Sequence, residues 1–427
     1  MNVSPARRLA LEILRQIEKG ARASSALANL RADKPVDRRL ATELVMGVLR
    51  NYRLLDYLIE RFSTKKVDKF DAEVRLALRL GTYQLFCLDK VPEAAAVNES
   101  VNLTKLHCKS AAGLVNAILR KLSENKTHLA KDIIKLAPPI KYSHPDWLYE
   151  RWQRFWGKEA EAIAAANNQT PQVTFRFNLL HPEVEQAMKT LEGLYEPGRL
   201  LSSACRLLPD AQRELLDSFV SKGACYIQDE ASQFVAELVD ARPGQTVLDL
   251  CAAPGGKTTL LAARMCNVGR LIACESDRSR FEILAAAVRR MQAKVELYCC
   301  DATAELPFEG IFFDRILVDA PCSGTGTLAR NPDIRLHLRP EKLSELSSIQ
   351  YKILCNAASR LAAGGRLIYA TCSLEPEENE HVVEAFLASH KHLKLLTLQP
   401  DTGKALIRLW PHKDSTSGFF VAVFEIS

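Results

Sequence analysis

Residues 247–259, VLDLCAAPGGKTT, decide how the C-terminal part of this 427-residue chain folds. An apolar run, Thr246–Leu250, leads into a loop with two adjacent glycines and then into a helical stretch at 257–265. Strand, glycine loop and helix in that order open a doubly wound α/β unit, whose ligands sit at the carboxyl ends of its strands. Gly255 and Gly256 let the backbone approach a ligand closely and reach dihedrals closed to other residues. The amides that start the helix then point at that ligand.

The loop excludes two common ligands. A phosphate-binding G-x-x-x-x-G-K-[ST] needs glycine five residues before Gly256, and Cys251 stands there. The dinucleotide pattern G-x-G-x-x-G is absent as well. Asp249, just before the loop, would repel a pyrophosphate but suits a cationic or hydroxyl-bearing ligand. Glu275, at the end of the second strand, is placed to accept hydrogen bonds from a ribose, and Asp301, past the third, to reach an adenine edge. Each acid alone reads as a helix N-cap. Three in register, with no phosphate trap, suit S-adenosylmethionine better than NAD or ATP.

Working outward, apolar runs recur at Arg270–Glu275, Val295–Cys300, Arg315–Ala320 and Arg366–Thr371, with helical stretches at 277–292, 340–363 and 375–389. That alternation predicts a parallel sheet. Leu406–Pro411 and Gly418–Ile426 read as an antiparallel edge hairpin. Upstream, residues 5–125 are helical in pattern. Leu9, Ile13 and Ile17 recur every fourth residue, as do Leu40, Leu44 and Val48 after Asp37 as N-cap; further helices are expected at 71–88, 95–106 and 111–123. Ala137-Pro138-Pro139 breaks the pattern. Beyond it come an aromatic helix (Trp147 to Trp156) and short strands at Val173–Asn178 and Ala224–Gln228. The fold class is therefore multidomain: an all-α bundle at 1–137, a small α+β linker domain at 138–235, and a Rossmann-like α/β domain at 236–427.

Composition narrows the setting. The hydrophobic fraction is 47% and the charged fraction 25%, as in ordinary globular proteins. No apolar run approaches the roughly 18 residues that span a bilayer, and the N-terminus lacks the apolar core of an export signal. A soluble, cytoplasmic, monomeric protein without a membrane partner is expected. None of the twelve cysteines forms a C-x-x-C pair, which argues against structural zinc; no metal is expected. Residues 1–130 carry 23 Lys and Arg against 14 Asp and Glu, within a chain of net charge +6. This basic segment points to a polyanion, with Arg7, Arg8, Arg38, Arg39, Arg50 and Arg53 as candidate phosphate contacts, although solvated helix faces would look the same.

Strand four ends in LVDAPCSGTGT (317–327) and strand five in LIYATCSLEPEEN (367–379), so Cys322 and Cys372 both fall just past adjacent strand ends. A single cysteine there reads as a small buried hydrophobe. Two over the ligand edge read as chemistry. The loops DLCAAPGGKT, DAPCSGTG and ATCSLEPEEN resemble the motifs of the RNA cytosine-5 methyltransferase family. The resemblance implies transfer of a methyl group from S-adenosylmethionine to carbon 5 of a cytosine, with Cys372 as nucleophile and Cys322 assisting product release. It places the cofactor against Cys251, Ala252, Ala253, Pro254, Gly255, Gly256 and Lys257, and against Glu275, Asp301 and Asp319. The ribose-binding acid of the family is commonly Asp; here Glu275 stands in its place with Asp277 two residues on, and Glu275 is favoured. The stretches ARRLALEILRQIEKG, DRRLATELVMGVLRNYRLLDYLI and AAGLVNAILRKL resemble the NusB-like RNA-binding domain carried by family members that act on small-subunit (16S) ribosomal RNA.

A thiol is the group this chemistry needs. Carbon 5 of cytosine attacks an electrophilic methyl poorly until a thiolate adds at carbon 6 and makes the ring an enamine. Asp319 is the nearest candidate to hold a proton at N3. The residues alone leave open which thiol adds. DNA cytosine-5 methyltransferases use the cysteine after proline, which would be Cys322; amine methyltransferases carry an [DN]-P-P-[YF] loop, where this chain reads Asp319-Ala320-Pro321-Cys322. An RNA-binding assembly factor with a vestigial catalytic domain is the rival from another class, and the intact motifs argue against it.

Overall fold

Ser4 and Pro5 start the first helix, Pro5–Glu18, for separable reasons. The Ser4 hydroxyl accepts a hydrogen bond from the Arg7 amide at 3.4 Å, and proline's fixed φ suits the first helical position. The computed structural model describes residues 3–30, 32, 34–397 and 405–426. The chain divides into two compact units, Met1–Gln169 with Leu328–Leu338, and Thr170–Thr327 with Arg339–Ser427.

In the first unit the helices Pro5–Glu18, Pro35–Glu60, Ala72–Cys87, Glu93–His107 and Ala112–Glu124 pack their apolar stripes together. Leu14, Ile17, Leu44, Val48, Leu76 and Leu80 share one cluster; Leu58, Val74, Leu78, Leu85, Ile118 and Leu122 share another. The i, i+4 spacing of the sequence is thus spent on burial. Asp37 is not the cap of its helix. Lys34 holds that position without a side-chain hydrogen bond, Pro35 begins the helix, and Asp37 lies in the first turn, where a negative charge still favours the helix dipole.

Three of the six candidate phosphate contacts are structural instead. Arg7 is buried and donates to Gln84 Oε1 at 2.7 Å. Arg50 is buried and donates to the Ala329 carbonyl, and Arg53 forms a two-pronged pair with Asp146 at 2.8 and 2.9 Å. Arg8, Arg38 and Arg39 are exposed. The segment Leu328–Leu338 is built into this unit through Arg335, which is 2% exposed. Its guanidinium donates to the Arg50 carbonyl (2.8 Å), Asn168 Oδ1 (2.7 Å) and the Asn167 carbonyl (2.8 Å).

The second unit contains two sheets. The smaller has the order β2-β3-β1-β4, with β1 Thr174–Phe177, β2 Tyr195–Pro197, β3 Cys205–Leu207 and β4 Cys225–Ile227. β1 and β4 fall within the short strands expected at Val173–Asn178 and Ala224–Gln228; β2 and β3 are three-residue strands with too little alternation to read. The larger sheet contains β5 Thr246–Leu250, β6 Arg270–Cys274, β7 Glu296–Tyr298, β8 Phe313–Asp319, β9 Leu361–Thr371, β10 Leu393–Leu395, β11 Leu406–Leu409 and β12 Phe419–Ile426. Its order is β10-β12-β9-β8-β5-β6-β7, with β11 also paired to β12.

The five strands β5 to β9 are mutually parallel. β11 and β12 do form an antiparallel hairpin, but β12 is not at an edge: it also pairs with β9 and β10. Its run of buried side chains, Phe419 to Phe424, fits that interior place. Alternate residues of the central strands feed opposite faces. Leu248, Ile316, Val318 and Tyr369 pack with Ile353, Leu354 and Phe386, while Val247, Leu317 and Ile368 pack with Val235, Ala236 and Leu261. Helices thus cover both faces and leave the carboxyl ends of β5, β6, β8 and β9 to build a site. Among the described residues no helix is long and apolar enough to cross a membrane.

Candidate active site at the carboxyl ends of the parallel strands

The loop after β5 is shaped by its backbone. Cys251 has φ +62° and Gly255 φ +101°, and the Ala253–Pro254 peptide is cis. The Ala252 amide donates to the Cys274 carbonyl at 2.8 Å, tying the loop to the end of β6. The positive φ favours glycine at 255, and a Cβ there would also press Ala287 Cβ and Leu284 Cδ1 at 3.1 Å. Burial pushes the Cys251 thiol up, out of the range of a nucleophile.

Behind the loop, Arg176 of β1 donates to the Gly256 carbonyl (3.1 Å), to Thr259 Oγ1 (2.8 Å) and to Gln228 Oε1 (2.8 Å). It is 3% exposed, and burial lowers its pKa to about 10. The sequence reading assigned Arg176 no role, because a lone arginine in a short strand carries no motif.

The strand-end acids differ in their surroundings. Asp249 is fully buried; burial raises it to about 7 although Thr258 Oγ1 donates to its Oδ2 at 2.7 Å. Its Oδ1 has no hydrogen-bond partner. Glu275 is 3% exposed, and its Oε1 accepts from the Asp277 amide at 3.1 Å. Its Oε2 forms an ion pair with Arg280 at 3.3 Å yet has no partner in hydrogen-bond geometry. Asp277 is exposed and committed: its Oδ1 caps the next helix by accepting from the Arg280 amide at 2.9 Å. Asp301 is exposed, with Oδ1 accepting from the Thr303 amide and hydroxyl, both at 2.8 Å.

Two buried carboxylate oxygens without donors, beside a glycine loop, match a ligand that brings hydroxyls and an ammonium group. The residues present therefore fit S-adenosylmethionine, with Asp249 and Glu275 facing donors and the loop Cys251–Lys257 giving backbone contacts.

At the ends of β8 and β9 the two thiols meet. Cys322 Sγ and Cys372 Sγ are 3.3 Å apart. The hydrogen bond to Cys372 and burial together push the Cys322 thiol up. Beneath them the Gly326 amide donates to the Cys372 carbonyl at 2.9 Å, and the Gly418 amide to the Gly326 carbonyl at 2.8 Å. A Cβ on Gly326 would sit 2.3 Å from the Gly418 oxygen, so this close crossing demands glycine. Lys257 Nζ reaches Asp319 Oδ2 at 2.6 Å. Glu378, quoted in the sequence motif without a role, lies buried under both cysteine loops.

Comparison with known proteins gives the family of each part of the chain. Residues 236–425 match the family model described as 16S rRNA methyltransferase RsmB/F, residues 4–124 that of the NusB family, and residues 144–196 that of the RsmF/B-like ferredoxin-like domain. The chain is 35% identical to a probable ribosomal RNA small subunit methyltransferase B of Synechocystis, covering 98% of each chain. It is 35% identical to ribosomal RNA small subunit methyltransferase B of Pseudomonas putida, covering 86% of this chain and 85% of that one. The crystal structure of the protein PH0851 aligns with a TM-score of 0.81 at 28% identity, covering 100% of this chain and 99% of the other.

Proposed function

The chain belongs to the RsmB/F family of ribosomal RNA small-subunit methyltransferases, and from that premise we propose that it methylates carbon 5 of a cytosine in 16S rRNA through a covalent Cys372 adduct. The observation that carries this reading is the 3.3 Å approach of Cys322 and Cys372 beside the carboxylate-lined loop. S-adenosylmethionine, when bound, supplies an electrophilic methyl group. Everything else falls to the chain. The target base leaves its stack and enters above β8 and β9, as base-modifying enzymes require. The Cys372 thiolate adds at carbon 6, electron density moves to carbon 5, and Asp319 steadies a proton at N3.

The bond to Cys372 and burial push the Cys322 thiol up, which disfavours Cys322 as the attacking thiolate. After methyl transfer a base takes the carbon 5 proton, the freed electron pair restores the carbon 5–carbon 6 double bond, and the carbon 6–sulfur bond breaks with its electrons returning to Cys372 as thiolate. Cys322, beside the leaving sulfur, assists that release. The helical part at 1–137 and the α+β part at 138–235 hold the RNA, and residues 236–427 perform the chemistry.

The test is methyl incorporation from labelled S-adenosylmethionine into 16S rRNA and into DNA, followed by nucleoside analysis. Label in RNA as 5-methylcytosine supports the reading. Label in another nucleoside, or in DNA alone, overturns it.

A further inference from the structure

Glu378 lies in the turn Pro376–Glu378 after β9 and is fully buried. Its Oε1 accepts from the Ser323 amide at 2.8 Å and from Gln350 Nε2 at 3.0 Å. Its Oε2 accepts from the hydroxyls of Ser323 and Ser373, which are themselves 3.0 Å apart. All four donors are neutral. Ser323 follows Cys322 and Ser373 follows Cys372, so one carboxylate grips the neighbour of each thiol. Gln350 Nε2 also donates to the Pro321 carbonyl at 2.9 Å, on the other side of Cys322. The Tyr369 hydroxyl donates to the Glu378 carbonyl at 2.5 Å and closes the network.

We propose that Glu378 is the positioning residue of the thiol pair, holding the Cys322 and Cys372 loops in register and placing a negative charge beside Cys322. The roles given to the two sulfurs rest on the function proposed above. An ionised carboxylate is acceptor-only, so it can gather four donors where an amide would turn two N–H groups toward them. Burial raises the Glu378 carboxyl, while the bonds from Ser323, Ser373 and Gln350 favour its ionised form; that charge acts beyond geometry. Cys322 faces Glu378 and Cys372, and a like charge disfavours a thiolate. Lys257 is the cation of the site, and it interacts with Asp319 first and with Cys372 as well.

The experiment uses the full-length protein with Glu378→Gln and Glu378→Asp. The pH dependence of alkylation of each cysteine by limiting iodoacetamide is followed by peptide mass spectrometry, a readout that needs no RNA. In Glu378→Gln the Cys322 midpoint falls by about one pH unit or more. Glu378→Asp keeps the charge and leaves that midpoint in place. Its shorter reach loosens the loops, lowering kcat for rRNA methylation about ten-fold or more with KM within about two-fold. A Cys322 profile in Glu378→Gln that superimposes on the parent's overturns the proposal, as does full kcat in Glu378→Asp. Should Glu378→Gln fail to fold, the aspartate variant decides alone. A shifted thiol profile without 5-methylcytosine in the product would leave this proposal standing and remove only the cytosine reading.

Discussion

Lys257 Nζ lies 2.6 Å from Asp319 Oδ2, pairing the first turn of the helix after the glycine loop with the last residue of β8. Burial works against the ammonium, and Asp319 outweighs it, so Lys257 stays protonated. The pair places one fixed cation among Asp249, Asp319 and Cys372. Its neighbour Asp249 lacks such a partner.

That difference gives a pH-dependent prediction. Burial raises the Asp249 carboxyl from its ordinary 3.8 to about 7. A raised folded-state value means that the fold holds this proton more tightly than the unfolded chain does. Stability from this group is therefore lost as pH rises from about 4 to about 7. Asp249→Asn should raise the melting temperature of the cofactor-free protein near pH 8, with the gain shrinking toward about pH 5. It should also weaken S-adenosylmethionine binding about ten-fold or more, as a buried acceptor is lost. Thermal scans across pH and calorimetry check both; a lowered melting temperature near pH 8 contradicts the account.

Gly255→Ala tests the loop. At φ +101° an alanine pays roughly 1–3 kcal/mol of backbone strain, and its Cβ would press Ala287 and Leu284 at 3.1 Å. Cofactor affinity should collapse while the helical unit, which does not contain this loop, keeps its circular dichroism. Unchanged affinity by calorimetry would move the cofactor elsewhere.

The arginines separate into two groups with opposite expected behaviour. Reversing the exposed Arg8, Arg38 and Arg39 to Glu should weaken RNA binding and reduce the slope of log K against log salt by about 2 to 3. Arg335→Ala instead removes a buried cation holding several carbonyls of the first unit, and should cost on the order of 3 kcal/mol of stability. Filter binding over a salt series, alongside thermal melts, distinguishes them. Loss of stability in the triple reversal would show that those side chains are structural too.

The central strands were legible because a buried parallel strand reads as a short, mainly apolar run between turn signals, as in Leu367–Ala370 and, broken only by Asp249, in Thr246–Leu250. The glycine loop was legible because the positive φ at Gly255 is one that L side chains rarely adopt, and a Cβ there would be tightly packed as well. The arginines were not. Charge predicts an exposed, polyanion-facing side chain equally for Arg8 and Arg7, and only packing shows that Arg7 bonds Gln84 in the interior. Glu378 was hidden for a related reason. Beside Glu375 and Glu377 it looks like an acid at a helix start, and its bonds to Ser323 and Gln350 span 55 and 28 residues. Long-range polar contacts leave no local pattern.

The measurement that bears most directly on the central claim is the covalent protein–RNA adduct on a denaturing gel, made with Cys372→Ala and Cys322→Ala. With Cys372 as nucleophile, Cys372→Ala has no route to the enamine and should show neither methylation nor adduct. Cys322→Ala should still add and methylate, then release slowly, so an adduct accumulates that survives denaturation. An adduct with Cys372→Ala and none with Cys322→Ala would exchange the two roles and contradict the mechanism.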